Sequence, residues 1–247
     1  MGPGELAKSM IRKTFRSAGL DVRRYRPVRT EGDELNAMFQ HFGVDLILDV
    51  GANTGQYALK VRQGGYRGRI VSFEPLAEAH ARLKLNARGD EAWQVHEQCA
   101  VGEASGEVDI HVAGNSQSSS ILPMLAAHAD AAPHSMYVSA QKTAVIPLDA
   151  VFEAYANGSR AVFLKIDTQG YEWPVLQGAA RSLERVVGVQ LELSLVPLYE
   201  GQRLWEFFVE DLQQRGFQLW SLLPGFTDPR NGRTLQVDGV FFRRSDA

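Results

Sequence analysis

The sequence predicts an α/β protein built on a mostly parallel sheet with helices on both faces. Three observations lead there. Short apolar runs that read as buried strands alternate with helical patterns from residue 46 to about residue 215, the signature of successive βαβ units. The first run, Leu46–Val50, breaks into a turn with glycines at 51 and 55 before a helical pattern resumes at Gln56. Finally, the last helical pattern is followed by two strand-like runs with no helix between them, which predicts a terminal antiparallel hairpin.

At 247 residues the chain is long enough for one such domain with a full core. Its 45% hydrophobic and 22% charged content are ordinary for a globular protein. A single cysteine, Cys99, excludes a disulfide framework and a cysteine zinc site, and it suits a reducing, cytoplasmic setting. No stretch has the length of a membrane span, and the basic N-terminus lacks the apolar region of a signal peptide. The abundance of Arg and Ala beside scarce Lys fits a GC-rich bacterial genome. Net charge is −3, so overall charge gives no reason to expect nucleic acid as a partner. Residues 1–30, however, hold eight basic and two acidic residues, a local +6 against −9 for the remainder.

Residues 5–18 fit an amphipathic helix, with Leu6, Met10, Ile11 and Phe15 close to one face. It is expected to pack on the domain edge; a membrane-surface or dimer contact is the alternative. A polar linker over 19–32 and a short helix from Glu34 to Phe42 lead into the first strand. Together, residues 1–42 read as a basic helical segment and 43–247 as the main domain. Gly64-Gly65 ends the helix after the glycine turn. Arg69–Pro75 is the second strand, and Pro75 opens the next helix with its fixed φ. Ala92–His96 is the third strand. Cys99–Gly102 reads as a tight apolar turn, and Glu107–Val112 as a half-exposed strand because it alternates strictly. A polar loop, Gly114–Ser120, follows. Residues 121–142, with His128, His134 and Tyr137, fit no regular pattern, so about 113–142 is expected to be an excursion that binds the acceptor. Thr143–Pro147 is a strand, and a helix starts at Leu148. Ala161–Asp167 and Val186–Glu192 are core strands flanking a helix from Tyr171. Arg203–Arg215 is the last helix. Phe217–Leu222 and Gly239–Arg243 form the hairpin.

In open parallel sheets the ligand lies beyond the carboxyl ends of the strands, where the strand order reverses. Asp49, Glu74, Asp167 and Glu192 all fall at such ends. Four acids there carry a desolvation cost unless paired or solvated. Gly51 and Gly55 let the backbone turn tightly near a ligand, but their spacing is not that of the dinucleotide fingerprint. Asp49 beside the turn would repel a pyrophosphate and favour a ligand with a cationic end. Glu74, about 20 residues past the turn, stands where an acid accepts hydrogen bonds from ribose hydroxyls; an acid before Pro is also a helix cap. S-adenosylmethionine, a nucleoside with an amine and a sulfonium, fits both requirements. The expected donor-binding set is Asp49, Gly51, Ala52, Asn53, Gly55, Tyr57, Glu74, Pro75, Ala100, Val101, Asp167 and Gln169.

Asp49-Val50-Gly51-Ala52-Asn53-Thr54-Gly55, Phe73-Glu74-Pro75 and Leu164-Lys165-Ile166-Asp167-Thr168-Gln169-Gly170-Tyr171-Glu172 resemble the motifs of the FkbM family of S-adenosylmethionine-dependent methyltransferases. Leu176-Gln177-Gly178-Ala179 and Glu192 also match, so the resemblance covers roughly residues 44–195. Gln169 departs from it, since the family often has Glu before that Gly. The resemblance implies the Rossmann-like, seven-stranded class I methyltransferase fold and O-methylation of a hydroxyl on a small molecule such as a sugar, oligosaccharide or glycolipid precursor. By analogy with related sugar O-methyltransferases, Asp167 and Glu192 are the expected ligands of a divalent metal, and oxygen ligands suit Mg²⁺. A sugar hydroxyl is a poor nucleophile, so a base should take its proton. Asp167 is the first candidate, Glu192 the second, and His134 the candidate if no metal is present. N-methylation of a small amine and a binding module without turnover are the competing readings.

Overall fold

The computed structural model describes Phe15 and residues 30–244. The amphipathic helix expected over 5–18 therefore lies, Phe15 apart, outside the described residues. Residues 1–30 and 31–247 form two units, and the second carries the sheet.

Helix α1 (Glu31–Phe42) leads into β1 (Leu46–Val50). Its Leu35 and Phe39 are buried with Ile47, Val61 and Phe163, so this helix, grouped above with the N-terminal segment, packs on the main sheet. Next come α2 (Gln56–Gln63), β2 (Arg69–Phe73), α3 (Ala77–Asn86) and β3 (Trp93–Val95). A second group follows: β4 (Ala100–Val101), β5 (Gly106–Ala113), α4 (Ala126–Ala131) and β6 (Tyr137–Ile146). The chain then alternates through α5 (Phe152–Ala156), β7 (Val162–Ile166), α6 (Glu172–Gly178), β8 (Val186–Ser194) and α7 (Trp205–Gln214). It ends in β9 (Phe217–Pro224) and β10 (Gln236–Arg243).

Among the described residues the strands form two sheets. The larger has seven strands in the order β3-β2-β1-β7-β8-β10-β9. Its first five are parallel, and β10 inserts antiparallel between β8 and β9. The predicted terminal hairpin is therefore present, with its second strand inside the sheet and its first at the edge. The order reverses between β1 and β7, which opens a crevice at their carboxyl ends. Side chains of β1 and β7 alternate between the two faces, as a strand period of two requires. Leu48, Val50, Leu164 and Ile166 enter one core with Val175, Leu176, Phe208 and Leu212 of α6 and α7. Ile47 and Phe163 enter the other, under α1 and α2.

The smaller sheet, β4-β6-β5, gathers the two predicted strands at Glu107–Val112 and Thr143–Pro147 and adds a strand that was not expected. Ala100–Val101, expected as a turn, pairs parallel with Val145 and Ile146. Residues 121–142, left without regular structure by the sequence, supply α4, a 3₁₀ turn over Pro133–Ser135, and the first half of β6. None of the residues of that half is buried, which removes the hydrophobic alternation by which a strand is read. No helix among the described residues is long and apolar enough to cross a membrane.

Candidate active site

Register sets the site in two layers. Ser72, Asp49, Lys165 and Gln190 are direct partners across β2, β1, β7 and β8, and all four are buried. Lys165 Nζ lies 3.1 Å from Asp49 Oδ1 and 3.6 Å from Asp167 Oδ2. It also donates to the carbonyl of Gly51 at 3.1 Å. Burial alone would depress the Lys165 pKa, but Asp49 and then Asp167 carry it above the ordinary lysine range. Ser72 Oγ donates to Asp49 Oδ2 at 3.2 Å, and Tyr57 Oη donates to Gln190 Oε1 at 3.0 Å. A polar row thus crosses an apolar sheet with a cation near its centre.

The next layer is the rim of the crevice, where Gly51, Glu74, Asp167, Glu192 and Asp238 meet. A cavity of about 300 Å³ opens over them, walled by Asn53, Tyr57, Pro75, Leu76, Ala100, Val101, Ile110, Ser116, Gln169 and Tyr171. Gly51 has φ +74°, and a Cβ there would come within 1.8 Å of the Asp167 carbonyl oxygen. The bare backbone lets β1 and β7 end side by side beneath the cavity.

Glu74 is 3% exposed, with its Oε2 accepting from the Asn53 N–H at 2.7 Å and its Oε1 from the Leu76 N–H at 2.8 Å. Burial nevertheless pushes its pKa up to about 7 against those two bonds. Asp238 lies directly across from Glu192 on β10. Burial, then the charge of Asp167, raises its pKa to about 6. Glu192 is also raised, by burial first and Asp167 second. Two amides hold its Oε2, Gln169 Nε2 at 2.7 Å and Gln236 Nε2 at 2.8 Å. Its Oε1 accepts no hydrogen bond from the described residues.

A model of the FkbM methyltransferase domain matches residues 49–219, more than half of the chain. The chain belongs to the FkbM methyltransferase family. As an FkbM protein it is a SAM-dependent methyltransferase, SAM being S-adenosylmethionine. A comparison with curated proteins finds no match. Solved structures similar to this FkbM chain include an O-methyltransferase from Bacillus cereus in complex with SAH, at 13% identity and TM-score 0.49, covering 95% of this chain and 90% of that one. Another is PH1948 from Pyrococcus horikoshii, a candidate RNA methyltransferase, at 14% identity and TM-score 0.46, covering 92% and 88%. The family assignment rests on the domain match.

The FkbM motifs are brought together almost as expected. Gly51, Ala52, Asn53, Tyr57, Glu74, Pro75, Ala100, Val101, Asp167, Gln169 and Glu192 all line the cavity. Three expected residues do not. Asp49 is fully buried and paired with its register partner Lys165, which stands between it and the cavity lining. Gly55 sits behind the turn, where a Cβ would meet the Trp93 ring at 2.7 Å and Leu83 at 2.9 Å; its role is packing. His134 is exposed in the 3₁₀ turn and is not among the cavity residues, so the base expected there is removed from consideration.

The expected Mg²⁺ finds no support. Gln169 Nε2 donates to Asp167 Oδ1 at 2.9 Å and to Glu192 Oε2 at 2.7 Å. An amide N–H thus stands on one oxygen of each carboxylate, between the two groups. No group of three or more candidate ligands occurs among the described residues. As arranged, this donor set does not fit Mg²⁺. Sequence reasoning gave no role to Lys165, Gln190 or Asp238, whereas Ser116 falls in the excursion expected to bind the acceptor. A lysine inside the apolar run Ala161–Ile166 is itself a signal, since a charge there requires a buried partner. Asp238 carries no such signal, because only the insertion of β10 beside β8 brings it to the rim.

Proposed function

We propose that the chain methylates a hydroxyl oxygen of a small molecule, a sugar or glycolipid precursor, with SAM held over the strand ends. The chain's own donors and acceptors suit the donor. Glu74 presents a buried carboxylate for ribose hydroxyls, and Asp167 offers a carboxylate to an ammonium group. Ala100, Val101 and Ile110 form an apolar wall against which an adenine can pack. When bound, SAM supplies an electrophilic methyl on a positively charged sulfur.

The observation that carries the reading is the state of Glu192. One oxygen is held by two amides, the other accepts no hydrogen bond from the described residues, and burial, then the charge of Asp167, raises the group's pKa above the ordinary carboxylate range. A carboxylate with a free oxygen and a raised proton affinity is suited to general-base work. In this reading Glu192 Oε1 takes the proton of the acceptor hydroxyl as the oxygen forms its bond to carbon and the sulfur keeps the electron pair of the bond it loses. Lys165 and Gln169 hold Asp167 in place beside it. The segment about 113–142, which contributes Ser116 and Ser120 to the cavity, is proposed as part of the acceptor site. The acidic rim favours a neutral or cationic acceptor over a phosphate-rich one such as nucleic acid. A cytoplasmic location belongs to this proposal, since a single cysteine, Cys99, suits a reducing compartment.

The test is methyl transfer to a panel of sugars, glycolipid precursors, amines and RNA, with wild type and Glu192→Gln. Transfer to a hydroxyl, with kcat of the variant reduced about a hundredfold or more, is the expected result. Preferential methylation of an amine or of RNA would replace the reading.

A further inference from the structure

Two facing carboxylates at a strand end repel each other unless something positive stands between them. Here that place is filled by a neutral amide. Both N–H bonds of Gln169 Nε2 are used, one on Asp167 and one on Glu192. The amide cannot simply turn over. Its Oε1 accepts from the buried phenol of Tyr199 at 2.7 Å, and a flip would aim that oxygen at both carboxylates. The backbone is equally constrained. Gln169 has φ +54°, rare for a side-chain-bearing residue. Ser120 Oγ donates to its carbonyl at 2.6 Å. Gly170 follows at φ +96°, and a Cβ there would lie 3.0 Å from Tyr199 Cβ. A left-handed residue fixed at carbonyl, side-chain oxygen and side-chain nitrogen is over-determined, as functional strain must be.

We infer that Gln169 is the positioning residue of this site: its carboxamide stands where a divalent cation would otherwise bridge Asp167 and Glu192, so methyl transfer proceeds without a metal. The amide does for the acid pair part of what a cation would do. It offsets their repulsion and fixes Glu192 Oε2, which leaves Oε1 for the acceptor. The role assigned to Glu192 rests on the proposed function; the displacement of the cation does not.

Cation and donor binding are read first, without any acceptor, so an acceptor of another class would fail the function reading alone. Wild type, Gln169→Glu and Gln169→Asn are each titrated calorimetrically with Mg²⁺, Mn²⁺ and SAM. Asn is chosen because it tolerates the left-handed backbone but is too short to reach both acids. Wild type is expected to bind SAM and neither cation, and its activity is expected to survive EDTA. Gln169→Glu, which adds a third carboxylate, is expected to gain cation binding. Gln169→Asn should still bind SAM and unfold in one cooperative transition, at a lower midpoint because Tyr199 loses its acceptor. Its kcat should fall about tenfold, and the acid limb of its kcat–pH profile should move to higher pH, because Glu192 loses a donor to its charged form. Cation binding by wild type, loss of wild-type activity in EDTA, failure of Gln169→Glu to gain a cation, or an unmoved acid limb in Gln169→Asn would each overturn the inference.

Discussion

At the scale of single residues the site is governed by where charge is buried. Glu74 shows the consequence. Its pKa of about 7 means that the free protein holds a proton there through much of the acidic range, while ribose hydroxyls need the ionised form as acceptor. SAM affinity is therefore expected to fall as pH drops below about 7, with a proton released on binding, measurable as buffer-dependent heat. Glu74→Ala should weaken SAM binding about tenfold or more at neutral pH and abolish that pH dependence. Gly51 makes a different demand. Gly51→Ala would drive a methyl into the Asp167 carbonyl at a backbone angle only glycine adopts easily. A loss of about 3 kcal/mol is expected from urea unfolding.

Elements position these residues through register. Asp49 and Lys165 meet because β1 and β7 pair in parallel with those two residues opposite. Lys165→Met would leave Asp49 buried without its counter-charge, and a destabilisation of about 3–5 kcal/mol should appear in denaturant unfolding. The double variant Asp49→Leu/Lys165→Met should recover much of that loss. Beyond β8, the chain turns so that Tyr199 reaches back over Gln169, buried in a small core with Ala131, Leu198 and Leu235. This satellite core ties α4 and the residues before β10 to the strand-end acids.

For the whole molecule, the concentration of acids at one rim predicts an unusual pH response. Glu74 and Glu172 are raised from 4.5 to about 7, and Asp238 from 3.8 to about 6, each by burial first. Between those limits the folded protein holds more protons than the unfolded chain, so the stability these groups contribute is full below about 4 and is lost as pH rises to about 7. Urea midpoints should fall across that window, and saturating SAM should restore stability at neutral pH. A midpoint that rises through the window would contradict the burial of these carboxyls. Carboxyls lowered by their partners, Asp90 through Arg62 and Asp149 through Ser182 and Arg181, act below the window.

The sequence by itself determined the parallel sheet, its terminal hairpin and the placing of Glu74, Asp167 and Glu192 at strand ends, because strand and helix periods and turn glycines are local properties. It also determined the glycine turn at Gly51. Only the tertiary structure decided which acids face the cavity. Asp49 was legible as a strand-end acid, but it lies two residues below the rim, opposite Lys165, where it is buried. The first half of β6 was hidden because none of its residues is buried and it carries no period. His128, set against the Tyr199 ring, and His134, exposed in its turn, look alike in sequence; long-range packing separates them. The contact of Gln169 with Asp167 and Glu192 joins two strand ends and a turn, and such a contact exists only once the sheet has closed in register.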